Sequence, residues 1–140
     1  MGTRSRHGYK NEDSSYVTSY CNWDGYPSHN GKILLENYNT DEKVKYLIEL
    51  GYLSTLGPVL GAKVDFRVKV KDQCKAYGRD RGEIWNNIKP LIYLTYLDLV
   101  SYLSKSDEEY LYIWQDEAWY YGEAANDYEL KELTIEDCKE

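Results

Sequence analysis

The sequence predicts an α+β domain in which two or three helices pack on a mainly antiparallel sheet. Three observations support this: hairpin patterns lie near both ends of the chain, two amphipathic helices lie between them, and no internal repeat is present. A chain of 140 residues fits one domain, spanning 1–140. Within it, residues 127–140 are expected to form a loosely packed tail.

The first half of the chain opens with two strands around the turn NEDSS, and DGYP ends the second strand. A helix is predicted from Ser28 through GKILLENY. A clearer helix follows in NTDEKVKYLIELG, where Asn39 or Thr40 caps and Gly51 terminates. Its buried face should carry Val44, Leu47 and Ile48. The following stretch, YLSTLGPVLGAK, is predicted to be a loop.

The second half begins with KVDFRVKVKD, in which apolar and polar residues alternate. This period predicts a strand with a basic outer face. CKAYGRDRGE is expected to be a neighbouring strand that runs into a turn, and NIKPLIYL an edge strand.

A helix is predicted next in TYLDLVSYLSKS, with Thr95 and Asp98 as a capping pair and Leu97, Val100 and Leu103 on one face. EYLYIWQDEAWYYGE is a predicted hairpin about QDEA. The polar tail closes as a helical turn or an extra strand.

Charge is distributed unevenly along the chain. Residues 1–97 carry 14 Lys and Arg against 11 Asp and Glu, whereas residues 98–140 carry 3 against 13, within a net charge of −7. The acidic last third either keeps the protein soluble or docks a basic partner. The aromatic content, 16 Tyr and 4 Trp against 1 Phe, suits half-buried faces and interfaces.

The first candidate for chemistry is the segment around Cys21, Asp24 and His29. These residues, with His7, carry thiolate, imidazole and carboxylate donors, but their spacing matches no metal-ligand or nucleophile motif. A buried, structural Cys21 is the simpler interpretation. Trp23 and Tyr26 flank Asp24-Gly25, which indicates either a turn with an Asx hydrogen bond or a ring-stacking ligand site.

The second candidate is the basic region centred on AYGRDRGE. Arginines on a turn are suited to gripping phosphate or carboxylate, and a basic strand face beside them would extend the cationic row. A solvated face, or internal pairing with the acidic third, is the alternative. The predicted ligand-binding residues are Trp23, Asp24, Tyr26, Arg67, Lys69, Lys71, Arg79 and Arg81.

Several classes of function find no support in the sequence. No P-loop, GxGxxG, HExxH, GxSxG or paired-carboxylate signature occurs, so we expect no enzyme, no cofactor and no metal. The net charge of −7 argues against duplex DNA as a partner. The longest apolar run, PLIYLTYL, is too short to cross a membrane. Three scattered cysteines indicate a reducing cytoplasm.

Five segments carry a family resemblance: MGTRSR, YCNWDGYPSHNGKILLENYN, KVKYLIELGYLSTLG, CKAYGRDRGE and YLYIWQDEAWYY. In collinear order over most of the chain, they resemble a widespread family of small acidic proteins encoded by tailed phages and prophages. The resemblance implies a cytoplasmic accessory protein made in the infected host cell. The segment IWNNIKPLIYLTYLDLVSYLSKS departs from the pattern by being more hydrophobic and richer in tyrosine.

Two main functions remain open. The first is an anti-CRISPR-like or other inhibitor that binds a host defence protein through an acidic, aromatic surface. The residues expected on this surface are Asp107, Glu108, Glu109, Tyr112, Trp114, Asp116 and Glu117. The second is a sponge that sequesters a signalling nucleotide on the basic residues. A phage structural or regulatory role comes third, and a homo-oligomer stays open.

Overall fold

Two strands from the start of the chain form the centre of the sheet in the computed structural model, which describes residues 2–139. β1 (Arg4–Lys10) pairs antiparallel with β2 (Tyr16–Cys21), with Lys10 opposite Tyr16. The amide and hydroxyl of Ser15 both donate to the Asp13 carboxylate in the turn between them. The predicted opening hairpin is therefore confirmed.

The remaining strands flank this hairpin. They are β3 (Leu53–Thr55), β4 (Lys75–Ala76), β5 (Leu91–Tyr93), β6 (Glu108–Gln115), β7 (Ala118–Glu123) and β8 (Lys131–Glu132). The order is β4-β3-β2-β1-β6-β7-β8, and β5 pairs with β2. Only the β1–β6 and β2–β3 pairings are parallel in the described sheet, so the predicted mainly antiparallel α+β fold is confirmed.

Five helices are present in the described chain, where two or three were predicted. They are α1 (Lys32–Asn37), α2 (Asp41–Glu49), α3 (Tyr77–Arg81), α4 (Trp85–Ile88) and α5 (Tyr96–Leu103). The two unpredicted helices, α3 and α4, are single turns. A π-helical turn at Pro27–Gly31 leads into α1.

Helices cover both faces of the sheet. α1 and α2 pack on the face that carries Cys21, Tyr112 and Trp114, whereas α5 packs on the opposite face against Leu111 and Ile113. β6 is thus buried on both sides. This explains why its sequence shows no alternation of apolar and polar residues.

The caps of the two main helices agree with the sequence. The Thr40 hydroxyl accepts a hydrogen bond from the Lys43 amide at 3.2 Å, and the Thr95 hydroxyl accepts from the Asp98 amide at 3.1 Å. The predicted apolar face of α5 is partly wrong, because the Leu97 side chain is 74% exposed. Leu99 and Leu103 supply the buried face.

Residues 63–72, predicted to be a strand with a basic outer face, form no strand. The segment belongs to an irregular loop between β3 and β4, in which Asp65 accepts from the amide and guanidinium of Arg67. Lys75 fastens the loop by donating to the Phe66 and Val68 carbonyls. Conversely, the stretch predicted as a loop contains β3, and CKAYGRDRGE contributes only the two residues of β4 before turning helical.

The second predicted hairpin is confirmed as β6–β7. Asp116 and Glu117 form its turn with φ of 51° and 58°, the left-handed values that a type I′ turn requires. Beyond β7, the segment expected to be a loose tail buries Tyr128, Leu133 and Cys138. Across residues 2–139, each helix falls short of the length and apolarity needed to span a membrane.

Candidate functional site

The three predicted ligand-binding arginines are engaged within the protein. Arg67 is paired with Asp65 at 3.1 Å on an exposed loop. Arg79 donates to Asp80 and to the carbonyls of Leu60 and Cys74, so it fastens the chain rather than facing a ligand. Arg81 lies 4.6 Å from the Tyr77 ring centroid and also contacts Phe66 and Glu83.

Three of the predicted ligand-binding residues share a groove of about 640 Å³. Asp24, Lys69 and Lys71 line it together with His29. Trp23 and Tyr26 lie on the neighbouring turn with 43% and 36% of their surface exposed. The structure therefore assembles only part of the predicted ligand site.

The turn at Asp24 is built differently from the predicted Asx turn. Asp24 has φ of 58°, and its carboxylate accepts a hydrogen bond from the Tyr26 hydroxyl at 3.2 Å. Its backbone carbonyl accepts from the Asn30 amide. The aromatic side chain thus contributes a hydrogen bond as well as packing.

Cys21 is a structural residue. Its side chain is fully buried, and burial raises the pKa of the thiol to about 12, which opposes thiolate formation. The Asn30 amide nitrogen lies 3.4 Å from Sγ, and the Asn30 oxygen lies 2.8 Å from His29 Nδ1. No group of three or more His, Cys, Asp or Glu side chains within residues 2–139 is arranged to hold a metal.

Three residues expected on the partner-binding surface are buried, which corrects the prediction for Glu108 and Tyr112, whereas Trp114 still lines two depressions near the β6–β7 turn. Glu108 pairs with buried Arg6 at 2.7 Å, and only 1% of its side chain is exposed. The Tyr112 hydroxyl donates to the Gly25 carbonyl from a fully buried ring. The Trp114 indole is buried and donates to Asp41 at 2.6 Å.

Four of the predicted acidic residues do reach solvent. Asp107 pairs with Arg4 at 2.9 Å, yet 68% of its side chain remains exposed. Glu109 is exposed on β6, and Asp116 and Glu117 are exposed at the β6–β7 turn. Only this last pair belongs to a larger acidic assembly.

That assembly forms at the end of the sheet where β1 and β6 finish. Because these strands run parallel, with Tyr9 beside Trp114, the β1–β2 and β6–β7 turns reach the same end. The hydrogen bond from Trp114 to Asp41 brings the start of α2 to this place as well. Three segments distant in sequence therefore meet.

The segments enclose two adjoining depressions of about 480 and 340 Å³, which we call the acidic groove. Five carboxylates line it, against the ammonium groups of Lys10 and Lys45. The carboxylates belong to Glu12, Asp13, Asp41, Asp116 and Glu117. Carboxylate oxygens only accept hydrogen bonds, so the groove presents mainly acceptors.

Gln115 and Tyr9 add polar and aromatic character to the lining of the acidic groove. Gln115 lines it, and its buried Oε1 atom has no hydrogen-bond donor among the residues that the structure describes. The Lys45 ammonium lies 5.7 Å from the Tyr9 ring centroid, so an aromatic ring in the lining already attracts a cation.

Sequence reasoning missed Glu12, Asp13, Asp41 and Gln115 as site residues. The first two were assigned to a turn and Asp41 to a helix start, which is correct locally. The parallel pairing of β1 with β6 brings these residues close to Asp116, and no local sequence pattern predicts that pairing.

Comparison of this chain with protein-family models, with curated proteins and with solved structures finds no match.

Proposed function

We propose that this protein is a non-catalytic binding protein that engages a basic protein partner through the acidic groove. The observation that carries the proposal is the meeting of two acidic turns and the start of α2 around one depression. In the infected host cell, the partner is a protein of a host defence system, and binding inhibits it. The phage resemblance of the sequence supports this setting.

The chemistry of the groove suits arginine and lysine side chains. Its carboxylates accept hydrogen bonds, which guanidinium and ammonium groups can only donate. A surface of this kind imitates the negative charge of nucleic acid and covers a basic groove on the partner. Such binding is steered by charge and weakens as salt increases.

The turn Asp116-Glu117 allows the charge to be removed without harm to the fold. Both residues adopt positive φ, and Asn-Gly is the preferred pair for a type I′ turn. The variant Asp116→Asn with Glu117→Gly should therefore fold at least as stably as the wild type while the groove loses two charges. A matched control is Glu129→Gln with Glu132→Gln, which removes two exposed charges outside the groove.

The test measures phage plating on bacterial strains that each carry one defence system. Expression of the wild-type protein should restore plating on at least one strain, and the control variant should restore it equally. With the groove variant, phage plating should be lower than with the wild type by about tenfold or more, as expected when charge-assisted contacts are lost. Full rescue by the groove variant, or no rescue by the wild type on any strain, would contradict the proposal.

A second candidate function is sequestration of a phosphorylated nucleotide in the groove that contains Lys69 and Lys71. Its volume of about 640 Å³ is sufficient for such a ligand, and both ammonium groups lie in the lining. Ligand at 100 times its dissociation constant would stabilise the fold by about 2.7 kcal/mol. The double variant Lys69→Gln with Lys71→Gln should abolish that thermal shift.

A further inference from the structure

A stack of tyrosines surrounds Arg6 on the face of the sheet that α5 packs against. The Arg6 guanidinium lies 5.5 Å from the Tyr52 ring centroid and 4.9 Å from that of Tyr102. Tyr20 packs on Tyr52 at 5.3 Å, and Tyr93 packs on Tyr102 at 5.6 Å. Four rings and a guanidinium thus follow one another across this face.

Arg6 is held at the centre of the stack by a dense set of hydrogen bonds. It donates to the Glu108 carboxylate at 2.7 Å, to the Thr18 hydroxyl at 3.0 Å, and to the hydroxyls of Tyr52 and Tyr102. A register shift between Arg4 and Ser5 marks a β-bulge in the β1–β6 ladder and places Glu108 on this face. Burial is the largest influence and disfavours the charge, but Glu108, Tyr52 and Tyr102 together more than compensate, so the pKa of Arg6 is raised overall.

A gain in folding stability does not by itself explain why Arg6 and Glu108 are buried together. Arg6 is fully buried and Glu108 is 2% exposed, and apolar residues at such a position are often as stabilising as an ion pair. What the pair does provide is a fixed, charged group among the tyrosine rings. Because Arg6 donates to the oxygen of Tyr102, the hydroxyl proton of that tyrosine remains free to be donated elsewhere.

A groove of about 610 Å³ opens beside the Arg6–Glu108 pair. It is lined by Tyr20, Tyr102, Lys105, Ser106, Asp107 and Glu108. The two carboxylates are neutralised, Asp107 by Arg4 and Glu108 by Arg6, which leaves the Lys105 ammonium as the uncompensated charge of the lining. The groove thus combines two partly buried tyrosine side chains, hydroxyl groups and one available cation in a volume typical of small-ligand sites.

We propose that this groove binds a nucleoside phosphate, with the base against the rings of Tyr20 and Tyr102 and the phosphate on Lys105. Base stacking on aromatic rings tolerates any base, and an ammonium at the rim fixes the phosphate. The site is separate from the acidic groove and from the Lys69–Lys71 groove. Its existence therefore does not depend on either function proposed above.

The test is calorimetric titration of the full chain with the four ribonucleoside 5′-monophosphates, with adenosine and inorganic phosphate as partial probes. At least one monophosphate should bind, whereas each partial probe should bind about tenfold more weakly or not at all. Lys105→Gln changes an exposed side chain and should weaken binding about tenfold with an unchanged melting temperature. The control Lys43→Gln, on exposed α2 surface, should bind as the wild type does.

Other outcomes would overturn the proposal. Absence of binding by all four monophosphates at millimolar concentration would do so directly. Binding that survives Lys105→Gln but is lost in Lys69→Gln with Lys71→Gln would move the ligand to the other groove and support sequestration there. Equal binding of inorganic phosphate and of the monophosphates would show that the tyrosine rings contribute nothing.

Discussion

At the scale of single residues, β1 buries more polar chemistry than its sequence suggests. Arg6 and His7 point to opposite faces of the strand, and both are buried. His7 lies opposite Ser19 in the β1–β2 ladder, and neither His7 Nε2 nor the Ser19 hydroxyl has a hydrogen-bond partner in residues 2–139. Two such neighbouring atoms are the setting in which an ordered buried water is expected.

His7 should make the protein sensitive to acid. Burial, with a smaller contribution from Arg6, lowers the pKa of His7 from 6.5 to about 3, so the folded state keeps a neutral ring where the unfolded chain binds a proton. The stabilisation is complete above pH 6.5 and is lost at about 1.4 kcal/mol per pH unit as the pH falls towards 3.

Urea unfolding of the wild type and of His7→Gln between pH 7.5 and pH 5 measures this effect. Carboxylates titrate in both proteins, so the difference between the two slopes isolates the imidazole. Parallel slopes would show that His7 is protonated equally in the folded and unfolded states.

The residues of β6 show why three side chains predicted on the partner surface are buried. Glu108, Tyr112 and Trp114 lie in a segment whose tyrosines and acids suggest exposure, yet helices cover both faces of this strand. Alternation reveals burial only when one face meets solvent. The hairpin turn at Asp116-Glu117 was predicted correctly, because turn chemistry is local.

At the scale of elements, hairpins and helix caps were predictable, whereas the basic strand was not. Thr40, Thr95 and the QDEA turn act through neighbours within four residues. A strand forms only beside another strand with which it can exchange backbone hydrogen bonds. β4, at the edge of the sheet, has only two residues available for such pairing. The alternating residues 63–70 therefore lie in an irregular loop, which Lys75 fastens at the Phe66 carbonyl. Arg79 binds the Leu60 carbonyl, which precedes these residues in the β3–β4 connection.

Arg79→Lys should loosen that loop. The guanidinium donates to the Leu60, Gly61 and Cys74 carbonyls at once, and a single ammonium does not reproduce this fork. We expect a loss of about 1–3 kcal/mol in unfolding free energy and faster cleavage of residues 57–74 by protease.

The control for this experiment is Arg67→Lys on the same loop. Arg67 pairs only locally with Asp65 and is largely exposed, so its replacement should change stability by less than about 0.5 kcal/mol. Similar losses in both variants would mean that charge, rather than the fork geometry, fastens the loop.

At the scale of the whole molecule, the decisive feature is the parallel pairing of β1 with β6. It puts the β1–β2 and β6–β7 turns at one end and so creates the acidic groove. Nothing local in either strand indicates this partner. The charge imbalance along the chain did indicate an acidic surface, but the groove draws Glu12, Asp13 and Asp41 from the less acidic part.

The last segment should contribute to global stability. Leu133 is 3% exposed and packs in the core beneath α1 and α2, whereas Ile135, two residues later, is 51% exposed. Leu133→Ala should cost about 2–5 kcal/mol, and Ile135→Ala should cost less than about 0.5 kcal/mol, by urea unfolding. Equal, small effects would show that residues beyond β7 are attached only loosely.

The central pairing also has a consequence for synthesis. Arg6 and Glu108 are 102 positions apart, so the ribosome must make most of the chain before β1 meets its second neighbour. Until then, the nascent hairpin exposes an open strand edge. Folding is therefore expected to finish late and slowly, after β6 emerges, and newly made chains are open to chaperones throughout that interval.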